Sequence, residues 1–321
     1  MIMKITKIKL FELYASNFNV VRNQIKFTSI IPNDDLFICP MCFQYFTRQE
    51  TARKNSLVTV EDVPPRSLGG KPITLTCVGC NRWAGRELES HLNHVFDLIE
   101  FHNAIPGASL EGKIEYPNIG NINAHLSFMP NRHLKSEISE SRSNPSAILK
   151  LLATKGDNPE LITIKSSGKR GRPIKYGRAE CAILRIAYLI GFSQFGYSYI
   201  YSSPISLVRS QILNPDDLIL SNWGIIPANN LSDDSLGVNL VTHPKILKSF
   251  GIVFDLITKL RKYRYLVLLP GPSYGSENIY DALESGKFSN GLHLKASPLP
   301  YNKVFLSDPK YAFVSDLWDR I

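Results

Sequence analysis

The sequence predicts an α+β protein of two domains, a small N-terminal ribbon-and-helix module followed by a larger mixed part. Three observations predict it. Two Cys-x-x-Cys pairs bracket a β-branched run and a Pro/Gly-rich turn, and a helical period starts directly after the second pair. The rest of the chain mixes strand-like and helix-like segments without the strand–helix–strand rhythm of a parallel sheet. The chain has 321 residues, enough for about two domains. Its composition, 44% hydrophobic and 20% charged, is that of a globular protein and excludes a disordered tail, a collagen-like chain or a coiled-coil rod. The segment Ile105-Pro-Gly-Ala-Ser109 marks a boundary, giving domains of residues 1–110 and 111–321.

Along the first domain, residues 1–35 fit either strand and turn or a loosely patterned helix, with Phe27–Ile31 reading as a strand. Cys39-Pro-Met-Cys42 is a tight knuckle, followed by a polar stretch to Asn55. Ser56–Val63 is rich in β-branched residues and reads as a strand, stopped at Pro64-Pro65 because proline cannot donate to a ladder. Ser67-Leu-Gly-Gly70 is a turn and Ile73–Cys77 a second strand. From Cys80 to His102 the apolar positions Leu88, Leu92, Val95, Phe96 and Ile99 recur at three and four, which predicts a helix.

In the second domain the pattern predicts strands near Lys113–Tyr116, Asn123–Phe128, Leu161–Lys165, Leu218–Ile226, Val238–Thr242, Ile252–Ile257 and Tyr265–Leu269. It predicts helices over Pro145–Ala153 with Asn144 as cap, Ala179–Phe195, Ile205–Leu213, Glu277–Glu284 and Tyr311–Ile321. The aromatic residues of the long helix and of Phe195-Gly-Tyr197 read as core. Cys181, inside that apolar helix, reads as a small buried hydrophobe.

No apolar run reaches the roughly 18–20 residues of a membrane helix. The most apolar stretch, Ala182–Phe192, is short and carries Arg185. The N-terminus alternates Lys with Ile and so lacks the apolar core of a signal peptide. The expectation is a cytoplasmic protein without membrane contact. Lys plus Arg is 37 against 28 Asp plus Glu, a formal charge of +9 that favours polyanionic partners.

Cys39, Cys42, Cys77 and Cys80 form two thiolate pairs, and together they complete a tetrahedral four-sulfur shell that suits zinc. In a reducing compartment such pairs are metal ligands more often than disulfides or redox couples. A closed four-sulfur shell leaves no open position for a reacting water, so this zinc is expected to be structural.

Between the pairs stands Glu61-Asp62-Val-Pro-Pro65-Arg66-Ser-Leu-Gly-Gly70-Lys71, and the second pair continues into Asn81-Arg82-Trp83-Ala-Gly85. From about Phe37 to Leu92 this order resembles the HNH endonucleases of the zinc-bearing four-cysteine type, whose fold is the ββα-metal motif. The resemblance implies metal-dependent hydrolysis of DNA phosphodiester bonds. Glu61 and Asn81 would hold a catalytic Mg2+ or Mn2+, which prefers oxygen ligands. The family's general base is a His after the acidic residue, and here that position is Asp62. An ordinary Asp, at about 3.9, is a much weaker base than His at about 6.5. Asp62 then serves as a further ligand or as a base raised by burial, or else the module has lost cleavage and binds nucleic acid or a protein partner. Arg66, Lys71, Arg82 and Arg86 are candidate phosphate contacts. His91 is about 15 Å along the helix from Asn81, too far to share an ion, and with His94 reads as a solvated face. Gly85, one turn after Asn81, would admit a phosphate backbone or a packed strand.

Gly168-Lys-Arg170-Gly-Arg172-Pro173 matches the core of an AT-hook, whose arginines enter a narrow minor groove. The second domain is expected to govern targeting, partner binding or homo-oligomer formation. Modules of this kind in prokaryotes often serve mobile-element or antiphage functions, an analogy rather than a property of these residues.

Overall fold

The computed structural model describes residues 6–24, 35–116, 119–153, 163–166, 174–285, 291–299 and 318. The protein is a mixed α+β chain that divides into two compact units interleaved along the sequence. The first comprises Met1–Glu89, Gly177–Ile257 and Lys262–Ile321; the second comprises Ser90–Tyr176 and Thr258–Arg261. The sequence reading places a single cut near residue 110. The interleaving arises because the chain returns after Tyr176 to complete the core begun by the N-terminal segments.

In the first unit, α1 (Lys7–Gln24) buries Leu10, Phe11, Tyr14, Phe18 and Val21. These positions recur at helical spacing and choose the helix for a segment whose pattern was ambiguous. The strand expected at Phe27–Ile31 lies outside the described residues. Strands β1 (Leu36–Ile38) and β2 (Tyr45–Thr47) pair antiparallel around the first knuckle. Helix α2 (Arg48–Ala52) follows, started by a reciprocal capping box between Thr47 and Glu50. Both β2 and α2 fall in what the sequence presents as a polar stretch.

Strand β3 (Val58–Val63) pairs antiparallel with β4 (Lys71–Cys77), from Val58 opposite Cys77 to Val63 opposite Lys71. The partners shift between Glu61/Thr74 and Asp62/Pro72, so Ile73 is an extra residue on β4. The joining loop needs its two glycines. Gly69 sits at φ +83°, and a Cβ on Gly70 would fall 1.4 Å from the Pro64 carbonyl oxygen. Helix α3 (Val78–Ala84) then leads into a π turn at Gly85–Glu89.

The second unit holds α4 (Ser90–His102), β5 (Ser109–Tyr116), β6 (Gly120–Phe128), β7 (Leu134–Ile138), α5 (Pro145–Ala153) and β8 (Thr163–Ser166). Its four-stranded antiparallel sheet runs β7-β6-β5-β8. Leu110, Ile114, Ala124 and Leu126 alternate inward and pack with Phe101, Ile105 and Ala108. His94 is 7% exposed, not part of a solvated face, while His91 accepts a hydrogen bond from the Lys175 N–H.

The chain then re-enters the first unit through α6 (Tyr176–Phe195), α7 (Tyr197–Ile200) and α8 (Ser203–Leu213). Helix α6 is buried nearly all round from Ala179 to Phe192. Strands β9 (Ile225–Pro227), β10 (Gly237–His243), β11 (Ser249–Ile257) and β12 (Lys262–Leu269) follow, with α9 (Ile279–Glu284) and β13 (Lys295–Pro298). The sheet order is β13-β10-β11-β12-β9, antiparallel throughout. The strand expected from Leu218 shrinks to β9 because the Gln211 side-chain oxygen takes the N–H groups of Ile219 and Leu220, holding them in a loop. The helix expected at Tyr311–Ile321 lies outside the described residues except at Trp318. Among the described residues no helix is long and apolar enough to cross a membrane.

Candidate metal centre and the buried carboxylate beside it

The four cysteine sulfurs converge. Cys39 and Cys42 come from the β1–β2 knuckle, Cys77 ends β4, and Cys80 lies in the first turn of α3. Their Sγ atoms all lie within 4.8 Å of one another. Cys42 and Cys77 are 3.7 Å apart. Four thiolates at about 2.3 Å from one zinc ion would be separated by about 3.8 Å, so the group fits a tetrahedral ion.

Backbone N–H groups face the sulfurs, as thiolates require. The Cys77 N–H points at Cys39 Sγ over 3.4 Å, and the Cys80 N–H at Cys77 Sγ over 3.3 Å. The thiols also share hydrogen bonds. The one with Cys39 is the main cause that holds the Cys77 thiol below its ordinary value. These residues can hold a metal ion, and the donor set suits structural zinc.

Distant segments of the same unit clamp the first knuckle. The Tyr188 hydroxyl donates to the Pro40 carbonyl over 2.7 Å. Arg209 donates to the Met41 carbonyl over 3.1 Å and lies 4.0 Å over the Phe43 ring. The Tyr197 hydroxyl receives the Ile38 N–H and donates to the Ile38 carbonyl. Tyr14 of α1 donates to Thr74 of β4 over 2.7 Å.

Glu61 and Asn81 are brought together. The Asn81 side-chain N–H donates to Glu61 Oε2 over 2.5 Å, and the Thr76 hydroxyl donates to the same oxygen over 2.6 Å. The other oxygen, Oε1, receives Arg185 Nη2 over 2.9 Å. Arg185 reaches Glu89 with Nη1 over 3.0 Å, while its Nε has no partner among the described residues. Glu61 is 3% and Arg185 2% exposed. Both carboxylate oxygens are thus engaged, a guanidinium already neutralises them, and the amide turns its N–H toward the acid. This arrangement does not fit an Mg2+ or Mn2+ site, which needs free oxygens and room for water.

Glu89 titrates above the usual carboxylate value. Burial is the main cause, opposed by Arg185 and reinforced by Glu61. Asp62 is half-buried. Because the extra residue lies on β4, the alternation of β3 runs on unbroken and puts Asp62 on the opposite face of the ribbon from Glu61.

Arg66, Lys71 and Arg82 are exposed. Arg66 and Lys71 flank the loop of the β3–β4 ribbon, and Arg82 is on α3. Arg86 is exposed but pairs with Glu87 at 2.6 Å. Gly85 opens the π turn, and a Cβ there would lie 3.9 Å from the Glu89 carboxylate, an ordinary contact. Arg170 and Arg172 lie outside the described residues. Cys181 is fully buried, and burial pushes its thiol up to about 12.

The sequence reading missed the partner of Glu61. A signal for it exists: Arg185 is the only charged residue between Cys181 and Phe192. A cation in the middle of a buried helix demands a buried anion.

No family model, no curated protein and no solved structure matches this chain.

Proposed function

We propose that the N-terminal segment is a zinc-stabilised ββα module of HNH type that binds nucleic acid without cleaving it. One observation carries this reading. The carboxylate that would hold a catalytic ion is buried and saturated by Arg185, Thr76 and Asn81. Asp62, in the position of the family's base, is on the other face of the ribbon. The four-sulfur centre then acts as a fold-determining zinc site, locking the knuckle to β4 and α3 and supplying folding energy. Nucleic acid is the proposed partner because the net charge is +9 and because Arg66, Lys71 and Arg82 are exposed around the ribbon and α3.

A second reading, the nuclease, is favoured by the pairing of Glu61 with Asn81 across the ribbon and helix. It would require Arg185 to withdraw from Glu61.

The test is a plasmid and oligonucleotide assay with Mg2+ and with Mn2+, run beside binding measured across a salt series. The expected result is binding that weakens steeply with salt and no nicking. A combined Arg66→Ala, Lys71→Ala and Arg82→Ala variant should lower affinity alike for all sequences and flatten the salt slope by up to about 3. Metal-dependent nicking that Glu61→Ala abolishes would replace this reading with the nuclease. Neither binding nor nicking would leave a protein partner as the function of the module.

A further inference from the structure

Among the described residues, the outer edge of the four-stranded sheet in the second unit is unpaired. Strand β7 is last in the order, and among the described residues no strand pairs with its far side. All five of its residues, Leu134–Ile138, are exposed. Such edges are commonly blunted by a proline, a bulge, a charged side chain or a covering helix or loop. This one has no proline, and its register with β6 is regular from Phe128 opposite Leu134 to Ala124 opposite Ile138. Its lysine, Lys135, is neutralised by Glu137 at 2.5 Å.

The hydrogen-bond phase of the hairpin shows which groups point outward. Met129 N–H donates to the His133 carbonyl, and Ser139 N–H donates to the Asn123 carbonyl. Hydrogen-bonded pairs alternate with non-bonded ones along an antiparallel ladder. Residues 133, 135, 137 and 139 therefore bond inward to β6, and Leu134, Ser136 and Ile138 turn their backbone N–H and C=O outward.

These outward residues also lie on the core side of the sheet. Leu134 is opposite Phe128, Ser136 opposite Leu126 and Ile138 opposite Ala124, all of which belong to or pack on the apolar core. Leu134 and Ile138 extend that core to the edge, where they remain 44% and 39% exposed.

We propose that β7 pairs with β7 of a second copy of this chain, antiparallel about a two-fold axis at Ser136. The strand is self-complementary in that register. Leu134 meets Ile138 of the partner subunit, and Ser136 meets Ser136 of the partner subunit. Both are hydrogen-bonded pairs that use the outward N–H and C=O groups. On the other face Lys135 stands opposite Glu137 of the partner subunit, and Glu137 opposite Lys135 of the partner subunit, in the closer non-bonded pairs. One-residue shifts would turn the outward groups away. Two-residue shifts would break the charge match. The contact is isologous, so it closes as a dimer rather than growing into a filament, and the two four-stranded sheets become one.

Sedimentation velocity of the full chain over a concentration series tests this. Wild type should form a reversible dimer. Ser136→Pro removes one outward N–H without touching the bonds to β6, and Glu137→Lys replaces two opposite-charge pairs by two like-charge pairs. Each should weaken dimerisation by at least about tenfold with unchanged circular dichroism. The swap Lys135→Glu with Glu137→Lys restores the charge match and should restore the dimer. A wild type that stays monomeric throughout, or a dimer indifferent to both single variants, overturns the proposal. A charge swap that stays monomeric overturns the register.

Discussion

Arg185 lies in a helix whose neighbouring side chains are apolar, and it is held there by Glu61 and Glu89. Removing one member of a buried ion pair leaves its partner charged and dry, which costs more than the pair itself contributes. Arg185→Met should therefore destabilise the protein by about 3–5 kcal/mol, read by denaturant unfolding. A change under about 1 kcal/mol would show that water reaches Glu61 and satisfies it.

Glu89 behaves differently, since burial raises its folded-state value above the ordinary 4.5. The folded protein holds that proton more tightly than the unfolded chain does. The stability tied to this proton is complete below about 4.5 and is lost as pH rises through the raised value. Glu89→Gln should flatten the wild-type fall in stability across that window, and a parallel pair of stability–pH curves would refute the assignment. At this scale the sequence is legible for Glu61 and Asn81, whose places follow from the ribbon and the helix start. For Arg185 it shows the need for a buried anion but not which one, because Glu61 is more than a hundred residues away in the chain and is selected only by packing.

Among the elements, the two-stranded ribbon depends on the sulfur centre at one end and on its Gly69-Gly70 loop at the other. Cys77→Ser removes a ligand that also receives the Cys80 N–H, so it should abolish stoichiometric zinc in purified protein, measured by plasma mass spectrometry. Retention of a full equivalent would exclude the four-sulfur site.

In the five-stranded sheet, Asp255 and Arg264 stand directly opposite each other on β11 and β12 and form a two-pronged ion pair at 2.6 and 2.8 Å. Hydrogen bonding from Arg264 holds Asp255 below its ordinary 3.8. The stability from this pair is present above 3.8 and disappears as pH falls through the lowered value. Asp255→Asn should blunt the acid limb of the stability–pH profile. An unchanged acid limb would show that the pair does not contribute there. The β-branched and helical periods announce most of these elements in the sequence. The short β2 and α2 escape a reading by apolar period: α2 is announced only by its Thr47-x-x-Glu50 capping box, and β2 takes its order from the adjacent knuckle.

For the whole molecule, the consequence of metal loss follows from which residues touch the knuckle. Pro40, Met41 and Phe43 are held by Tyr188 of α6 and Arg209 of α8. Chelation should therefore raise amide hydrogen exchange not only across residues 36–47 and 71–84 but also in α6 and α8. The sheet of the second unit has its own core and none of the ligands, so β5 and β6 should keep their protection. Exchange confined to the knuckle, or spread equally over both units, would contradict this coupling.

What the sequence by itself determined is local: the sulfur spacing, the Pro-Pro and Gly-Gly punctuation of the ribbon, and the periods that set most helices and strands. These depend on residues a few positions apart, whose geometry is dictated by the backbone they share. Tertiary structure decided that Glu61 is neutralised by an arginine from a distant helix. It also decided that Tyr14 of α1 stacks on Phe192 of α6, and that Phe195 at the end of the same helix packs on Phe250 of β11. Those outcomes depend on which surfaces meet, and burial turns such a meeting into a strong electrostatic constraint because a charge out of water must find its partner wherever the fold supplies one.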